Sequence, residues 1–239
     1  METRTRRAGR RRAPGAALWA APLVALTASC APGTQVMLAE DRYPHHSAAD
    51  WVTYADHVVV VTAEREREGS HAPLPFIDRE VDLRVDRILW SRPGAARAVP
   101  ATVGWTASGW VRDDSGGRTR TAVEGAPRVE AGHSYVLALV WEEARCDEGD
   151  PRVPAAWRGL GSGGAIPFDG AVLGAGESEG RVRTAAEARE DADARASGTG
   201  LTPSLEDEVT GKGTEALTAR LEAAVPGERR QFARPAPCP

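Results

Sequence analysis

The sequence predicts a mainly β fold, a small antiparallel barrel or sandwich with a short N-terminal helix and a C-terminal amphipathic helix. Three patterns carry this prediction. A β-branched run, "HVVVVTA", fills residues 57–63, apolar and polar residues alternate along 79–90, and 134–141 is the most apolar stretch after the N-terminus. Continuous apolar runs indicate buried strands, whereas strict alternation indicates a strand with one face in water.

Weaker signals complete a β-rich domain over residues 47–173. Ser47 and Asp50 have the spacing of a capping box, which predicts a helix over 48–55. Residues 101–110 predict a third strand, in which Gly104 and Gly109 permit bends. The charged segment 64–78 and the polar, glycine-rich segment 112–133 are expected as connections, and 155–174 as short strands separated by glycine turns.

The chain changes character after residue 173. Residues 174–201 are charged and nearly free of large apolar side chains, which predicts a flexible segment. Residues 202–239 are expected to form a helical region and a tail. Thr202 and Pro203 suit the first positions of a helix, and a second helix would carry an apolar stripe. The stripe residues are Leu217, Leu221 and Val225.

Residues 1–29 predict a secretory signal peptide. The basic start "METRTRRAGRRR" precedes a short apolar run that ends in small residues. That run is shorter than the roughly 20 apolar residues of a membrane-spanning helix. Its end, "LTASC", resembles a bacterial lipobox, in which an aliphatic and two small residues precede a cysteine. The resemblance implies that Cys30 receives a diacylglyceryl group and begins the mature chain, followed by a tether over 30–46.

Two other fates of the N-terminus stay open. Thr27 stands where the lipobox pattern prefers Leu or Val, which leaves ordinary signal-peptidase cleavage and free secretion as one alternative. Cleavage after Ala31 would place Pro32 just beyond the scissile bond, a poor arrangement for that enzyme. An uncleaved N-terminus is the second alternative.

The cysteine count favours the lipid anchor. The chain has three cysteines, Cys30, Cys146 and Cys238, and an odd number in an exported protein leaves one thiol to explain. If Cys30 is acylated, Cys146 and Cys238 can pair in an oxidising compartment. The alternatives are two free thiols or an intermolecular bridge through Cys238.

The charge of the mature chain excludes some partners. The 29 leading residues hold six arginines and one glutamate, so their removal leaves 24 basic and 33 acidic side chains and a net charge of −9. Such a surface does not attract nucleic acid or anionic lipid. Any membrane attachment is therefore expected to come from the lipid.

The order of strand motifs resembles a known group of domains. "ADHVVVVTA", "VDLRVDRILW", "EAGHSYVLALV" and "GGAIPFDG" follow one another over residues 47–173. This order is similar to that of small β-domains in exported actinobacterial lipoproteins and, more distantly, to the OB-like barrel of netrin and tissue-inhibitor modules. The resemblance implies an OB-like barrel and transfers no catalytic residue.

Several motifs invite a catalytic or metal-binding interpretation. "GLGSGG" (159–164) fits G-x-G-x-x-G, but "AIPFDG" follows it instead of a helix, so a glycine-rich turn with Ser162 as a turn serine is expected. The five histidines lack metal-ligand spacing and are expected at the surface or at strand ends, unless folding assembles a metal site. The acidic residues of 147–150 are expected in a solvated loop. We therefore predict no catalytic residue, no cofactor and no metal.

Tryptophans are the remaining candidates for ligand contact. Trp105, Trp110 and Trp157 are candidates for stacking on a flat ligand such as a sugar, as exposed aromatics of OB-like barrels do. The alternative is that they fill the core.

Together these features predict a lipid-anchored envelope protein on the outer face of the cytoplasmic membrane. It is expected to be a non-catalytic binding or interaction module for an envelope protein or a glycan. The alternatives are a cell-wall-associated hydrolase with an unrecognised site and a freely secreted module.

Overall fold

A strongly curled, mostly antiparallel sheet forms a half-barrel, which confirms the mainly β class. The computed structural model describes residues 33–69, 75–144, 146, 153–198 and 202–230. The strands of this sheet are β1 (Gln35–Met37), β2 (His57–Glu68), β3 (Phe76–Ser91), β4 (Thr102–Arg112), β5 (Arg118–Val123), β6 (Ser134–Glu142), β7 (Ala156–Gly159) and β8 (Ala165–Pro167). They lie in the order β1-β5-β4-β3-β2-β6-β7, and β8 also pairs with β6.

A separate hairpin and several helices pack around the half-barrel. The hairpin consists of β9 (Gly176–Ser178) and β10 (Arg181–Arg183). The helices are α1 (Ala48–Tyr54), α2 (Ala185–Gly198), α3 (Leu205–Val209) and α4 (Thr214–Ala223). Within the part of the chain that the structure describes, none of the helices is both long and apolar enough to cross a bilayer.

Residues 57–63 of strand β2 are covered on both faces, which explains their continuous β-branched run. Val58 and Val60 face one core, which the helices cover, whereas Val59 and Val61 face the inside of the half-barrel. Side chains of consecutive strand residues point to opposite faces, so only a strand covered on both sides is apolar at every position. Partners in the first core include Trp51, Leu217 and Leu221, and in the second Leu83, Val103 and Tyr135.

Charged residues extend β2 beyond its predicted end. Residues 64–68, predicted as part of a connection, continue the strand opposite β3. Arg67 donates to Glu80 at 2.7 Å and to Asp82 at 2.9 Å across the two strands. Cross-strand pairs of opposite charge favour pairing of strands that apolar patterning does not reveal.

Two further predicted irregular segments are structured. β5 lies within 112–133 and pairs with β4. β1 lies within the predicted tether 30–46 and pairs in parallel with β5. Beyond β1, Arg42 and Tyr43 donate to Glu142 at 3.2 and 3.0 Å. From Gln35 onward, therefore, this segment packs on the domain instead of extending away from it.

Segment 174–201, predicted as flexible, contains the hairpin and α2. Thr184 and Glu187 form a reciprocal capping arrangement at the start of α2, with backbone N–H to side-chain oxygen distances of 2.8 and 3.2 Å. The buried face of α2 consists of alanines, Ala188 and Ala192. Alanine is too small to produce the apolar stripe on which the sequence prediction relied.

The C-terminal helices begin and end at different residues from those predicted. α3 starts after Ser204, whose side chain caps the backbone of Asp207, and not at Thr202. In α4 the stripe residues Leu217 and Leu221 are buried. The third predicted stripe residue, Val225, lies beyond the helix and is exposed.

The two glycines of β4 are expected to respond differently to replacement by alanine. A Cβ at Gly109 would overlap the backbone oxygen of Ile77, beside the bulge between Ile77 and Arg79 in β3, whereas nothing lies within 4 Å of a Cβ at Gly104. Gly109→Ala should lower the free energy of unfolding by about 2 kcal/mol or more. Gly104→Ala should raise the free energy of unfolding by about 0.5 kcal/mol or leave it unchanged. Urea unfolding of both variants checks this, and equal midpoints would contradict the close approach.

Candidate functional site

A cleft of about 820 Å³ opens beside the half-barrel, between the end of β1, the β9–β10 hairpin and helices α2 and α3. Its lining side chains include seven carboxylates and three guanidinium groups, so its walls are acidic. Exposed apolar side chains also line it, among them Leu38 and Val182. Clefts of this volume are the usual place for a ligand in a protein of this size.

The buried carboxylate of Glu177 holds the β9 wall of the cleft. Glu177 is 0% exposed. Its oxygens accept hydrogen bonds from the backbone N–H groups of Arg128 (3.1 Å), Val129 (3.0 Å) and Gly180 (2.7 Å), and from the Tyr135 hydroxyl (2.8 Å). A buried charge is tolerated only when it is hydrogen-bonded in this way. The carboxylate thereby joins the hairpin to the segment before β6.

Backbone geometry turns two adjacent donors toward this carboxylate. Val129 has a φ of 57°, in the left-handed region that β-branched residues avoid. Successive N–H groups in such a turn form a concavity for an anion, which here is Glu177. The strained conformation of Val129 is thus compensated by the hydrogen bonds that it permits.

Two buried arginines secure the same segment to the sheet. Arg79 of β3 donates from Nη1 to the Val129 carbonyl at 3.2 Å, and Arg128 donates from Nε to the Thr121 carbonyl at 2.7 Å. Arg128 also pairs with Glu130 at 2.7 Å. Burial acts to raise the pKa of Glu130, but the hydrogen bond from Arg128 and the neighbouring guanidinium charges outweigh it and hold the pKa below its ordinary value.

Ion pairs hold the helical wall. Arg183 of β10 lies 3.3 Å from Glu206 of α3 and 3.5 Å from Asp191 of α2. Arg195 of α2 pairs with Asp207 of α3 at 2.6 Å. Burial raises the pKa of Glu206 even though the charge of Arg183 opposes this. Both helices are therefore fastened by charge at the edge of the cleft.

The third wall is formed by His45 and the glycine-rich turn, which are joined by their contacts with Asp41. His45 Nε2 lies 2.8 Å from Asp41 Oδ2, and Ser162 donates to Asp41 from its backbone N–H at 2.8 Å and from Oγ at 2.5 Å. A Cβ at Gly161 would lie 2.6 Å from the Asp41 carboxylate, and one at Gly163 would overlap the His45 ring. The glycines of "GLGSGG" thus allow this turn to approach Asp41 and His45 closely.

This cluster lacks the geometry of an activated nucleophile. In such a site the serine hydroxyl is bonded to the histidine, but Ser162 Oγ donates to Asp41 instead. Burial acts to raise the pKa of Asp41, but the hydrogen bonds from Ser162 and His45 outweigh it and lower the pKa. Asp41 is consequently a weak base. His45 is only 6% exposed, and its Nδ1 has no hydrogen-bond partner among the described residues.

The cysteines lie largely outside the described residues. Cys146 is half-buried and does not carry a free thiol. Cys30 and Cys238 belong to the parts of the chain that the structure does not describe. Lipid attachment at Cys30 and the Cys146–Cys238 disulfide therefore stay predictions. The acidic loop 147–150 also lies outside the described residues.

The three candidate tryptophans lie away from the cleft. Trp157 is buried, and its ring meets the edges of His57 and Trp141 at centroid distances of 5.5 and 5.4 Å. Trp105 is half-buried, with its ring against Gly159. Trp110 is half-buried below the Arg128 guanidinium, 5.6 Å from the ring centroid. Ligand stacking by these residues stays a prediction.

Two further histidines, His57 and His133, have side-chain hydrogen-bond partners. His57 is buried, with Nδ1 2.8 Å from Ser91 Oγ and Nε2 2.8 Å from the Arg97 carbonyl. His133 Nδ1 lies 2.5 Å from Asp169. His71 lies outside the described residues. Within the described ranges, no three metal-binding side chains converge.

Sequence reasoning missed the residues that form the cleft. Asp41 and His45 lay in the predicted tether, and β10 and α2 lay in the predicted flexible segment. The Thr184–Glu187 capping spacing was a usable signal for α2. No local signal joins Asp41 to Ser162, because the two are 121 residues apart in the chain.

Replacement of Asp41 by asparagine should destabilise the protein in a pH-dependent way. At pH 7, Asp41→Asn should lower the free energy of unfolding by about 1–2 kcal/mol, because the amide places a donor toward Ser162 and His45. The folded-state pKa of Asp41 lies below its ordinary value of 3.8, so this contribution is present above that value and is lost as the pH falls through the folded-state pKa.

Urea unfolding at pH 7 and at stepwise lower pH, to below 3.8, measures the difference between the two proteins. The matched control is Asp193→Asn on the exposed face of α2, which should match the wild type at every pH. A difference for Asp41→Asn that stays constant down to the lowest pH would contradict the assignment.

Comparison with known proteins gave no relative on which to base a function. No family model matches the chain, and searches of curated proteins and of solved structures found no significant match. The function is therefore inferred from the geometry and charge of the described residues and from the sequence features of the N-terminus.

Proposed function

We propose that the protein is an exported binding module, held at the outer face of the cytoplasmic membrane by lipid on Cys30, whose ligand occupies the acidic cleft. The observation that carries this proposal is the cleft itself, about 820 Å³ in volume, with charged, apolar and backbone groups in its walls. A cleft that combines apolar surface with a few oriented polar groups is typical of a binding site.

We infer an OB-like identity for the half-barrel. β2 pairs on one side with β3 and on the other with β6, and the chain continues outward from these to β4 and β7. A Cβ at Gly159 of β7 would lie 2.6 Å from the Trp105 ring of β4, so the two outer strands approach each other. This arrangement supports a partly open barrel of the OB kind.

A lipid on Cys30 would hold the cleft close to the membrane. Five residue steps separate Cys30 from the first residue of β1, and an extended chain of that length spans at most about 18 Å. Leu38 and Ala39, directly after β1, line the cleft. The ligand would therefore be an envelope component within reach of the membrane surface.

The competing function is a cell-wall-associated hydrolase. Its support is the contact of Asp41 with His45 and Ser162, both of which line the cleft. The Ser162 hydroxyl donates to Asp41, and His45 offers no hydrogen bond to that hydroxyl, so the contacts favour a structural clamp over a nucleophile. Binding is accordingly the function that the geometry supports better.

Replacement of Cys30 tests the membrane anchor. In a native-like bacterial host, the wild-type protein should be found in the membrane fraction. Its intact mass should be that of a chain that begins at Cys30 and carries a diacylglyceryl group. Cys30→Ser should release it from the membrane, because no acyl chains can then be attached. The measurement is fractionation followed by mass spectrometry.

The matched control is Cys238→Ser, which should stay on the membrane and should leave Cys146 accessible to a thiol reagent. Membrane attachment of Cys30→Ser, or a mature mass without lipid, would contradict the anchor. A thiol reagent that labels Cys146 equally in the wild type and in Cys238→Ser would contradict the predicted disulfide.

A further inference from the structure

The outer edge of β10 presents backbone groups without a partner strand. Glu179 and Gly180 form the two-residue loop of the hairpin, with φ of 52° and 78°, as in a type I′ turn. Ser178 and Arg181 flank that loop and form the first hydrogen-bonded pair, and such pairs alternate along the ladder. The next residue, Val182, therefore directs its N–H and C=O away from β9.

This edge lies in the wall of the cleft. All of Arg181–Arg183 line the cleft, and Val182 is 66% exposed. Among the described residues β10 pairs with β9 alone, and no backbone group bonds to Val182 on its outer side. An unpaired edge of this kind is a template for an added strand.

The charge around the edge is unbalanced. Of the three guanidinium groups that line the cleft, those of Arg183 and Arg195 are already paired with carboxylates of α2 and α3. Glu124 and Glu190 are exposed, and the described part of the chain provides neither side-chain carboxylate with a hydrogen-bonding or ionic partner. The net charge of the cleft groups that lack an ionic partner is therefore negative, which complements a cationic ligand.

From these observations we propose that the cleft binds an extended, basic polypeptide segment, which adds a strand to the free edge of β10. Backbone groups of the segment bond to Val182, and its lysine or arginine side chains lie near Glu124 and Glu190. The proposal rests on the proposed binding function of the cleft and specifies its ligand as a protein segment of positive charge.

Binding of synthetic peptides tests this proposal. The probe is a fluorescent, capped heptapeptide that alternates lysine with valine, measured by anisotropy with the wild-type mature chain at low salt. Two matched peptides accompany it, one with glutamate in place of lysine and one with the same basic side chains but with N-methyl groups along the edge that would pair. Strand addition needs backbone N–H groups, and mere charge attraction does not.

The basic peptide should bind saturably, and the acidic and N-methylated peptides should bind at least about tenfold more weakly. The combined substitution Glu124→Gln and Glu190→Gln should weaken binding about three- to tenfold at low salt, and less at high salt. Its control is Glu222→Gln, an exposed carboxylate on α4 outside the cleft, which should leave binding unchanged.

A backbone variant separates strand addition from charge attraction. Val182→Pro removes an N–H that the fold does not use and should weaken binding at least about tenfold, whereas Val182→Thr keeps the N–H and should weaken binding much less. Circular dichroism and urea unfolding show whether both variants are folded. If Val182→Pro is not folded, the N-methylated peptide gives the same discrimination.

Absence of binding by the basic peptide, or equal binding of the basic and N-methylated peptides, would overturn the proposal. Neither result affects the lipid anchor, which the Cys30→Ser experiment tests separately. Mass spectrometry of the peptide after incubation shows whether the protein cleaves it. Cleavage of the basic peptide would contradict the non-catalytic part of the proposed function and leave strand addition to be judged by the affinities.

Discussion

The carboxylate of Glu177 is the contact on which the cleft depends. It is fully buried, and three backbone N–H groups and one hydroxyl surround it. Hydrogen bonds to a charged group are each worth roughly 1.5–3 kcal/mol, and a buried charge without them is strongly unfavourable. The hairpin, the segment before β6 and Tyr135 must therefore occupy one arrangement. That arrangement places β10 at the cleft and fixes the position of Arg183, to which α2 and α3 attach.

The parts of the fold that the sequence predicts are those with large apolar side chains. β2, β3 and β6 follow from β-branched or alternating patterns. A strand buried on one face shows alternating apolar and polar residues, and a strand buried on both faces shows a continuous apolar run. β1, β5, β10 and α2 leave no such period. They are held by ion pairs, alanine faces and pairing with strands distant in the chain, which local patterning cannot detect.

In the candidate site, too, local sequence patterns predict some features and miss those that depend on contacts between distant parts of the chain. "GLGSGG" was predicted as a turn and not as a nucleotide loop, and the structure has a short 3-10 turn at Ser162–Gly164 within it. What brings that turn to Asp41 and His45 is a contact across more than 100 residues. The acidic residues of α2 were predicted as part of a flexible segment. They are exposed, and their role in the cleft depends on Arg183, which joins two helices to β10.

Amide hydrogen exchange in the wild type and in Glu177→Gln tests most directly whether this carboxylate builds the cleft. In the wild type the N–H groups of Arg128, Val129 and Gly180 should be protected from exchange. In Glu177→Gln they should exchange much faster, while amides of β2 and β6 in the half-barrel keep their protection. If the three N–H groups remain as protected in Glu177→Gln as in the wild type, the hairpin is held by other contacts and Glu177 does not build the cleft.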